Sequence, residues 1–502
     1  MEIILNSQQM RALDERTIIN FKVSSLILME RAGLAVLEAI REENYSLENI
    51  LVLCGSGNNG GDGFCLARLF AEQGKNVSVF LYGSPDKMTP ETRSMYESCL
   101  AYDIEVSHEL KTDHKDLIID ALFGIGLNRD LRDDVKDIIR KINLYSLKNP
   151  GARIVSCDIA SGIYADTGNI AGEAIKAHMT VTFAHKKIGQ LLYPGKDYTG
   201  KLKCKAIGIT DRGLSPYISY ITALEEADLP LIKRYDSSNK GSYGKLLIIA
   251  GSESAGGCAY LSAMAAFKAG AGMVRILTHR ENKDFLLNSL PEAMISSFDT
   301  APPDRNELKE LYSWADAILI GPGTGKDEKA RAIFDSVFTD TDLPLVVDAD
   351  GISMLREHLE AYDERRLPID RTIIITPHIK EMSLFTGLKV SDIKEDPIAI
   401  AGESSARYGI VCVLKDARTV IADRDGSIRI NLSGNNGMSV AGMGDVLAGI
   451  ILSLLGQGAS AFDAASYGAF IHGRAGDDAS LSGSKSGLLP RDLIKNIKNY
   501  VE

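Results

Sequence analysis

LVLCGSGNNGGDG, from Leu51 to Gly63, decides how the first half of the chain is read. An apolar run, Ile50–Cys54, leads into a turn crowded with glycine, and an apolar helix follows through Phe64–Gln73. Strand, glycine turn and helix in that order form the opening unit of a parallel sheet whose two faces are covered by helices. Working outward, Val77–Tyr82, Leu117–Ile119 and Ile154–Cys157 read as further short apolar strands. Ahead of the quoted stretch, residues 8–43 read as one helix, with Leu26, Met29, Leu34 and Leu37 at three- and four-residue spacing.

The glycines at 55, 57 and 60 match the dinucleotide fingerprint GxGxxG, which points to a dehydrogenase. Two features oppose that reading. Asn59 and Asp62 crowd the turn that a diphosphate would approach, and the next strand ends in Tyr82-Gly83-Ser84 without an acidic ribose ligand. A purely structural glycine turn is the other alternative. Two more strand ends carry polar groups, in IIDALFGIGLNRD (Ile118 to Asp130) and SCDIASG (Ser156 to Gly162). Carboxyl ends of parallel strands converge on one crevice, so Asn59, Asp62, Asp120, Asp158 and Ser161 are expected to meet there. Asp120 alone would more often be a helix cap.

After Lys201–Ile209 the pattern changes. Residues 211–240 are mixed and polar, with Pro216, Pro230 and the run Asp236-Ser237-Ser238-Asn239-Lys240, which places a domain boundary near 215–225. A second α/β series follows. Leu246–Ala250, Ala317–Ile320, Leu345–Val347, Thr372–Ile375 and Val411–Leu414 read as strands, and Ala259–Ala271 and Asp445–Leu455 as helices. GPGTGKD, Gly321 to Asp327, falls short of a phosphate-binding P-loop, because Ile320 and Asp327 stand where that pattern needs glycine and Ser or Thr. AGMGD runs directly into the apolar helix, so the N–H groups of Gly442, Met443 and Gly444 suit an anion hole. Asp445 in the first turn can take a proton from an attacking hydroxyl, or can simply cap the helix. Asp348 and Asp350 suit either Mg²⁺ or helix capping.

The 502 residues exceed what one core usually serves, so two domains are expected. A net charge of −11 argues against general nucleic-acid binding. The seven cysteines form no CxxC pair, and Cys54, Cys157 and Cys412 sit in apolar runs as buried reduced thiols. The eight histidines form no HxxxH pair, which leaves no zinc pattern. The amino terminus alternates too quickly for a signal peptide. The longest apolar stretch, Val446–Leu455, is about half of a membrane span. A cytoplasmic protein without membrane contact is expected.

Taken together, MERAG (Met29 to Gly33), NNGGDG, DALFGIG, DIASG and TFAHKKIG (Thr182 to Gly189) resemble the NAD(P)H-hydrate epimerase family over residues 1–215. The resemblance implies a Rossmann-like domain. In it Asn58, Asn59, Gly60, Gly61 and Asp62, together with Gly124, Ile125, Gly126, Leu127, Asn128, Arg129 and Asp130, line the hydrated nicotinamide nucleotide. Asp158 contacts the substrate and is the candidate acid/base for exchanging the R and S epimers. Asn59, Asp120 and Ser161 are implied to hold K⁺, and hard oxygen donors suit such an ion. Lys187 matches the family's lysine, although Lys186 stands where proline is usual.

Residues 222–502 resemble the ribokinase-like ADP- or ATP-dependent NAD(P)H-hydrate dehydratases, through KGSYGKLLIIAGS, GPGTG, VDADG, TPHIKE, KDART and AGMGD. The resemblance implies that Lys415, Asp416, Ala417, Arg418, Thr419 and Gly444 hold ADP, or ATP in its place. It implies that Cys258, Gly323, His378 and Asp445 contact the hydrated cofactor. Cys258 replaces the usual alanine, Ile379-Lys380 the usual Pro-Gly, and Met443 a common threonine. The family also suggests homo-oligomers. A ribokinase-like kinase of another small molecule and a non-catalytic nucleotide sensor are the rival readings.

Overall fold

The computed structural model describes residues 1–216, 219–229, 234–361 and 371–501. Residues 217–218 of the expected boundary, and Pro230, lie outside the described residues. The chain divides into two compact units, one of Ile3–Ile218 and one of Met1–Glu2 with Ser219–Glu502.

In the first unit seven strands pair in the order Glu105–Ser107, Asn76–Leu81, Asn49–Cys54, Leu117–Ala121, Arg153–Cys157, Met179–Phe183 and Lys201–Lys205. All the pairs are parallel. Alternate residues of one strand serve opposite cores. Ile50, Val52 and Cys54 pack with Phe64, Leu66 and Phe70, whereas Leu51 and Leu53 pack with Val135, Ile139 and Ile142. This is why the strands are apolar throughout. Fully burying one such side chain contributes about 1.5–3 kcal/mol.

The structure departs from the sequence reading at two points. The single helix over 8–43 is two helices, Ser7–Phe21 and Ser25–Glu42, parted at Lys22, whose φ of 59° is left-handed. The glycine stretch is less loop than helix, because the following helix starts at Asn58 and runs to Glu72. Gly55 is the true turn. A β-carbon there would stand 2.1 Å from the Leu122 carbonyl oxygen, so the crossing of these two strand ends requires glycine.

In the second unit the strands run Met294–Phe298, Met273–His279, Lys245–Ile249, Ala317–Ile320, Leu345–Val347, Ile373–Ile375, Val411–Leu414, Thr419–Ala422 and Ile428–Asn431. Pairing is parallel up to Val411–Leu414 and antiparallel for the last two. Leu246 and Ile248 face one core, with Ala263, Leu447 and Ile451, while Leu247 and Ile249 face the other, with Ile333, Phe334 and Leu355. The helix Met443–Gly456 buries every residue from Val446 to Leu455, as a helix that is apolar all round must. Among the described residues no helix is long and apolar enough to cross a membrane.

Candidate functional sites

The first unit gathers its polar strand ends around Asp120. This carboxylate is wholly buried at the end of Leu117–Ala121. It receives the Ser156 hydroxyl at 2.7 Å, the Ser161 N–H at 2.8 Å and the Ser161 hydroxyl at 2.5 Å. It therefore caps no helix. Asn59 reaches the same place, where its amide donates to the Phe123 carbonyl at 3.0 Å. Its own buried Oδ1 has no described partner. An orphaned amide oxygen beside a carboxylate and a hydroxyl is a donor set that fits a monovalent cation. Among the described residues no three His, Cys, Asp or Glu side chains group as a metal site.

Asp158 follows the neighbouring strand with a φ of 62°, a left-handed backbone that Asp tolerates better than most residues. Its Oδ1 accepts from the Lys187 ammonium at 2.5 Å and from the Thr182 hydroxyl at 3.1 Å. Lys187 is itself fully buried and donates also to Thr182 and to the Phe183 carbonyl. Lys186, at the usual proline position, belongs to a short strand, Lys186–Lys187, that pairs in parallel with Glu2–Leu5.

Asp158 and Lys187 line a cleft of about 250 Å³ with Asn58, Asp62, Asp14 and Met29. Burial, and then the charges of Asp158 and Asp14, push the Asp62 carboxyl well above the usual range. Burial and Asp158 raise Asp14 in the same direction. Neither Asp14 nor Asp62 has a side-chain partner among the described residues. Asp14 is absent from the sequence-based candidates, although a signal existed: it lies on the helix face whose neighbours Met10, Leu13 and Thr17 are buried. The loop Gly124–Asp130 does not line this cleft. It approaches through Gly124, where a β-carbon would stand 3.2 Å from that of Asn59. At its far end the Tyr164 hydroxyl donates to Asp130.

In the second unit AGMGD turns through Gly442, whose φ of 93° excludes most side chains, into the helix that starts at Met443. The Met443 N–H donates to the Val440 carbonyl at 3.4 Å. Of the expected trio of N–H groups, that of Met443 is thus engaged, while those of Gly442 and Gly444, and of Asp445 next to them, have no described partner. The N-cap position falls to Gly442, and Asp445 sits inside the first turn. Its carboxyl is pushed up to about 7, mainly by burial and then by Asp348, with Lys415 opposing. A base titrating near neutrality is what proton abstraction at that pH requires.

Lys415 stands beside this turn, as a β-carbon on Gly444 would meet its Nζ at 3.3 Å. The ammonium donates to Asp348 Oδ1 at 2.9 Å, and the Thr376 hydroxyl donates to the same oxygen at 2.6 Å. Burial works against the Lys415 charge, and the carboxylates of Asp348, Glu381 and Asp445 outweigh it, so its pKa is raised. Residues 415–418 form the turn between the strands Val411–Leu414 and Thr419–Ala422, with Asp416 and Ala417 exposed. The Arg418 guanidinium is held by the Leu432 carbonyl at 2.8 Å.

His378 bridges to Lys415 along the backbone and caps the helix Ile379–Thr386, its Nδ1 accepting two N–H groups at 3.1 Å. Burial, and then the nearby Asp445 charge, push the Cys258 thiol up to about 12. Gly323 abuts Cys258, where a β-carbon would come within 2.6 Å of the sulfur. Asp348 and Asp350 are not caps of the following helix. Asp348 pairs with Lys415, and Asp350 accepts the Gly325 N–H at 3.0 Å. Asp327 caps the helix Glu328–Asp340 through the Ala330 N–H, which is its role in place of a P-loop hydroxyl. His472, not singled out from the sequence, is held neutral by burial, which pulls it down to about 4.

Comparison with known proteins closes the question of kinship. Residues 246–499 match the family described as NAD(P)H-hydrate dehydratase, and residues 25–189 the family described as YjeF-related protein N-terminus. The chain is 34% identical to the bifunctional NAD(P)H-hydrate repair enzyme Nnr of Thermofilum pendens, covering 97% of this chain and 94% of the relative. It is 36% identical to that of Escherichia coli, over 94% of this chain and 89% of the relative. A ribokinase-like superfamily protein of Enterococcus faecalis matches 56% of this chain and 95% of its own, at 27% identity and a TM-score of 0.50. The dehydrogenase, other small-molecule kinase and sensor readings therefore give way, and the chain belongs to the bifunctional NAD(P)H-hydrate repair enzymes, with an epimerase half followed by a dehydratase half.

Proposed function

We propose that the dehydratase half acts on the S hydrate by transferring a phosphoryl group from ADP, or from ATP in its place, to the ring hydroxyl. Phosphate is a far better leaving group than hydroxide, and its elimination with a ring proton restores the dihydropyridine. The observation that carries this reading is the Asp445 carboxyl, pushed up to about 7 beside Lys415 and the free N–H groups of the glycine turn. Asp445 takes the hydroxyl proton. Lys415 to Thr419 and Gly444 hold the nucleotide, and Cys258, Gly323 and His378 position the hydrate. Mg²⁺ commonly binds through one or two carboxylates plus substrate phosphates. Asp348 Oδ2, engaged by no described residue and 3.9 Å from a Gly444 β-carbon, fits that use.

In the epimerase half, Asp158 is the acid/base group beside the hydrated carbon whose R and S configurations interconvert, moving the hydroxyl proton as a bond to that carbon opens and re-forms, and Asn58 to Asp62 with Gly124 to Asp130 contact the nucleotide. Asn59, Asp120 and Ser161 are the residues that would hold K⁺, which would fix the strand ends around the cleft. Residues 1–215 and 222–502 fold as separable domains. Reduced thiols throughout suit the cytoplasm, and we place the enzyme there as a homo-oligomer. The test is incubation of purified protein with hydrated NADH and either ADP or ATP. Recovery of NADH absorbance with release of AMP from ADP is expected. Binding without turnover would overturn the reading.

A further inference from the structure

The second unit must accommodate two adenosine groups, one on the phosphoryl donor and one on the hydrated dinucleotide. The cluster of Lys415, Gly444 and Asp445 can serve the phosphates of only one of them. The sheet offers another place. Its chain adds Met273–His279 and then Met294–Phe298 on one side of Lys245–Ile249, and returns to add Ala317–Ile320 on the other side. At such a reversal a crevice opens beyond the carboxyl ends of the two central strands, and ligands of open parallel sheets bind there.

That crevice holds a pocket of about 180 Å³. Ile249, Leu277, Ile320 and Met354 make an apolar lining, with Ser254 and Thr324 from the two strand-end loops. His279 and Phe298 also line it, their rings edge to face at 5.9 Å. The His279 Nδ1 accepts the Glu281 N–H at 3.4 Å, a tautomer that places hydrogen on Nε2 for donation. Apolar walls, aromatic rings and the His279 N–H beside the Ser254 and Thr324 hydroxyls suit a purine base, whose faces are apolar and whose ring nitrogens accept, with Glu253, Asp327 and Lys329 also on the lining.

The pocket lies directly across a thin wall from the reacting centre. The Gly251 N–H donates to the Pro322 carbonyl at 2.8 Å, and the Cys258 thiol donates to the Ala255 and Pro322 carbonyls, each at 3.1 Å. Gly323 packs on Cys258, which feels the Asp445 charge, while Thr324 and Ser254 face the pocket. Resting on the dehydratase reading above, we propose that this pocket takes the adenosine half of the hydrated dinucleotide, the nicotinamide end crossing Gly323 toward Asp445.

The test compares the S hydrate of NADH with the S hydrate of reduced nicotinamide mononucleotide, which lacks the adenosine. Two variants fill the pocket: Ala330→Trp from its lining and Ser254→Trp from its exposed rim. The wild type should favour the dinucleotide. Each variant should raise KM for the dinucleotide by about tenfold, the mark of lost uniform binding. Turnover of the mononucleotide and KM for ADP should stay unchanged, which also shows that the variants fold. Equal losses on both substrates, or an unchanged dinucleotide KM in both variants, would overturn the pocket. Turnover of neither hydrate by the wild type would overturn the dehydratase reading itself.

Discussion

Asp158 and Asp445 each stand near a lysine, but the two lysines spend their hydrogen bonds differently. Lys187 donates straight to Asp158 at 2.5 Å. Lys415 donates to Asp348 instead, so Asp445 keeps a carboxylate neighbour and no hydrogen-bonded cation. The first arrangement holds an ion pair inside a cleft. The second leaves a desolvated carboxyl pushed up to about 7. One pair of residue types thus yields an aspartate clamped by its lysine in one half and, in the other, a carboxyl raised to about 7, as the proposed proton acceptor needs.

Asp445→Asn should have the greatest effect. General-base assistance contributes about 10²–10⁴-fold, and dehydration should fall by that much. ADP affinity, measured in parallel by calorimetry, should hardly move. Retention of a tenth or more of the rate would return Asp445 to a structural role. The wild-type rate should also depend on pH in one direction. With its pKa raised to about 7, Asp445 is protonated and inactive below that value and ionised above it. Dehydration should therefore climb through pH about 7 to a plateau, and this limb should be missing from the residual activity of Asp445→Asn.

Removing the clamp is the next largest change. Lys187→Met leaves Asp158 without its buried cation, and breaking a buried pair costs about 3–5 kcal/mol. Urea denaturation should show that loss in the first unit, together with failed epimerisation, while the isolated S hydrate is still dehydrated. Asp120→Ala removes a residue proposed to hold K⁺ directly, so K⁺ affinity should fall by more than the about 10–100-fold seen on losing an outer partner of a metal ligand. Epimerisation rates that are the same with and without K⁺ would contradict the cation site. The smallest effect belongs to Asp14→Asn, which takes one of three neighbouring carboxyls from the cleft. Its neighbour Asp62 should then titrate lower, and the epimerase pH profile should shift to lower pH with kcat reduced by less than that of Asp158→Asn.

Much of the framework was legible because buried parallel strands are apolar throughout. Ala317–Ile320, Leu345–Val347 and Val411–Leu414 stand where the sequence places them. The start of the helix at Asn58 was hidden by its glycines, which are poor helix formers kept there by close approach rather than by propensity. Gly60 shows the cause, since a β-carbon would fall 1.9 Å from the Gly55 carbonyl oxygen. Polar strand ends could be expected to converge, and Asp120 with Ser161 does so. What no local pattern encodes is which lysine meets which aspartate. Lys187 is 29 residues from Asp158, and Lys415 is 67 from Asp348. Asp14 arrives from a helix far from every glycine motif, and only its place beside buried neighbours marked it.

Two separate sites working in series on one substrate pool should leave distinct kinetic signatures. The direct test is the time course of NADH recovery from a mixture of R and S hydrates in the presence of ADP. The wild type should restore the whole mixture. Asp158→Asn should restore the S fraction quickly and then stall at the spontaneous epimerisation rate, and Asp445→Asn should restore almost nothing while still interconverting the epimers. Complete recovery in a single phase by Asp158→Asn, or loss of both activities in either variant, would contradict it.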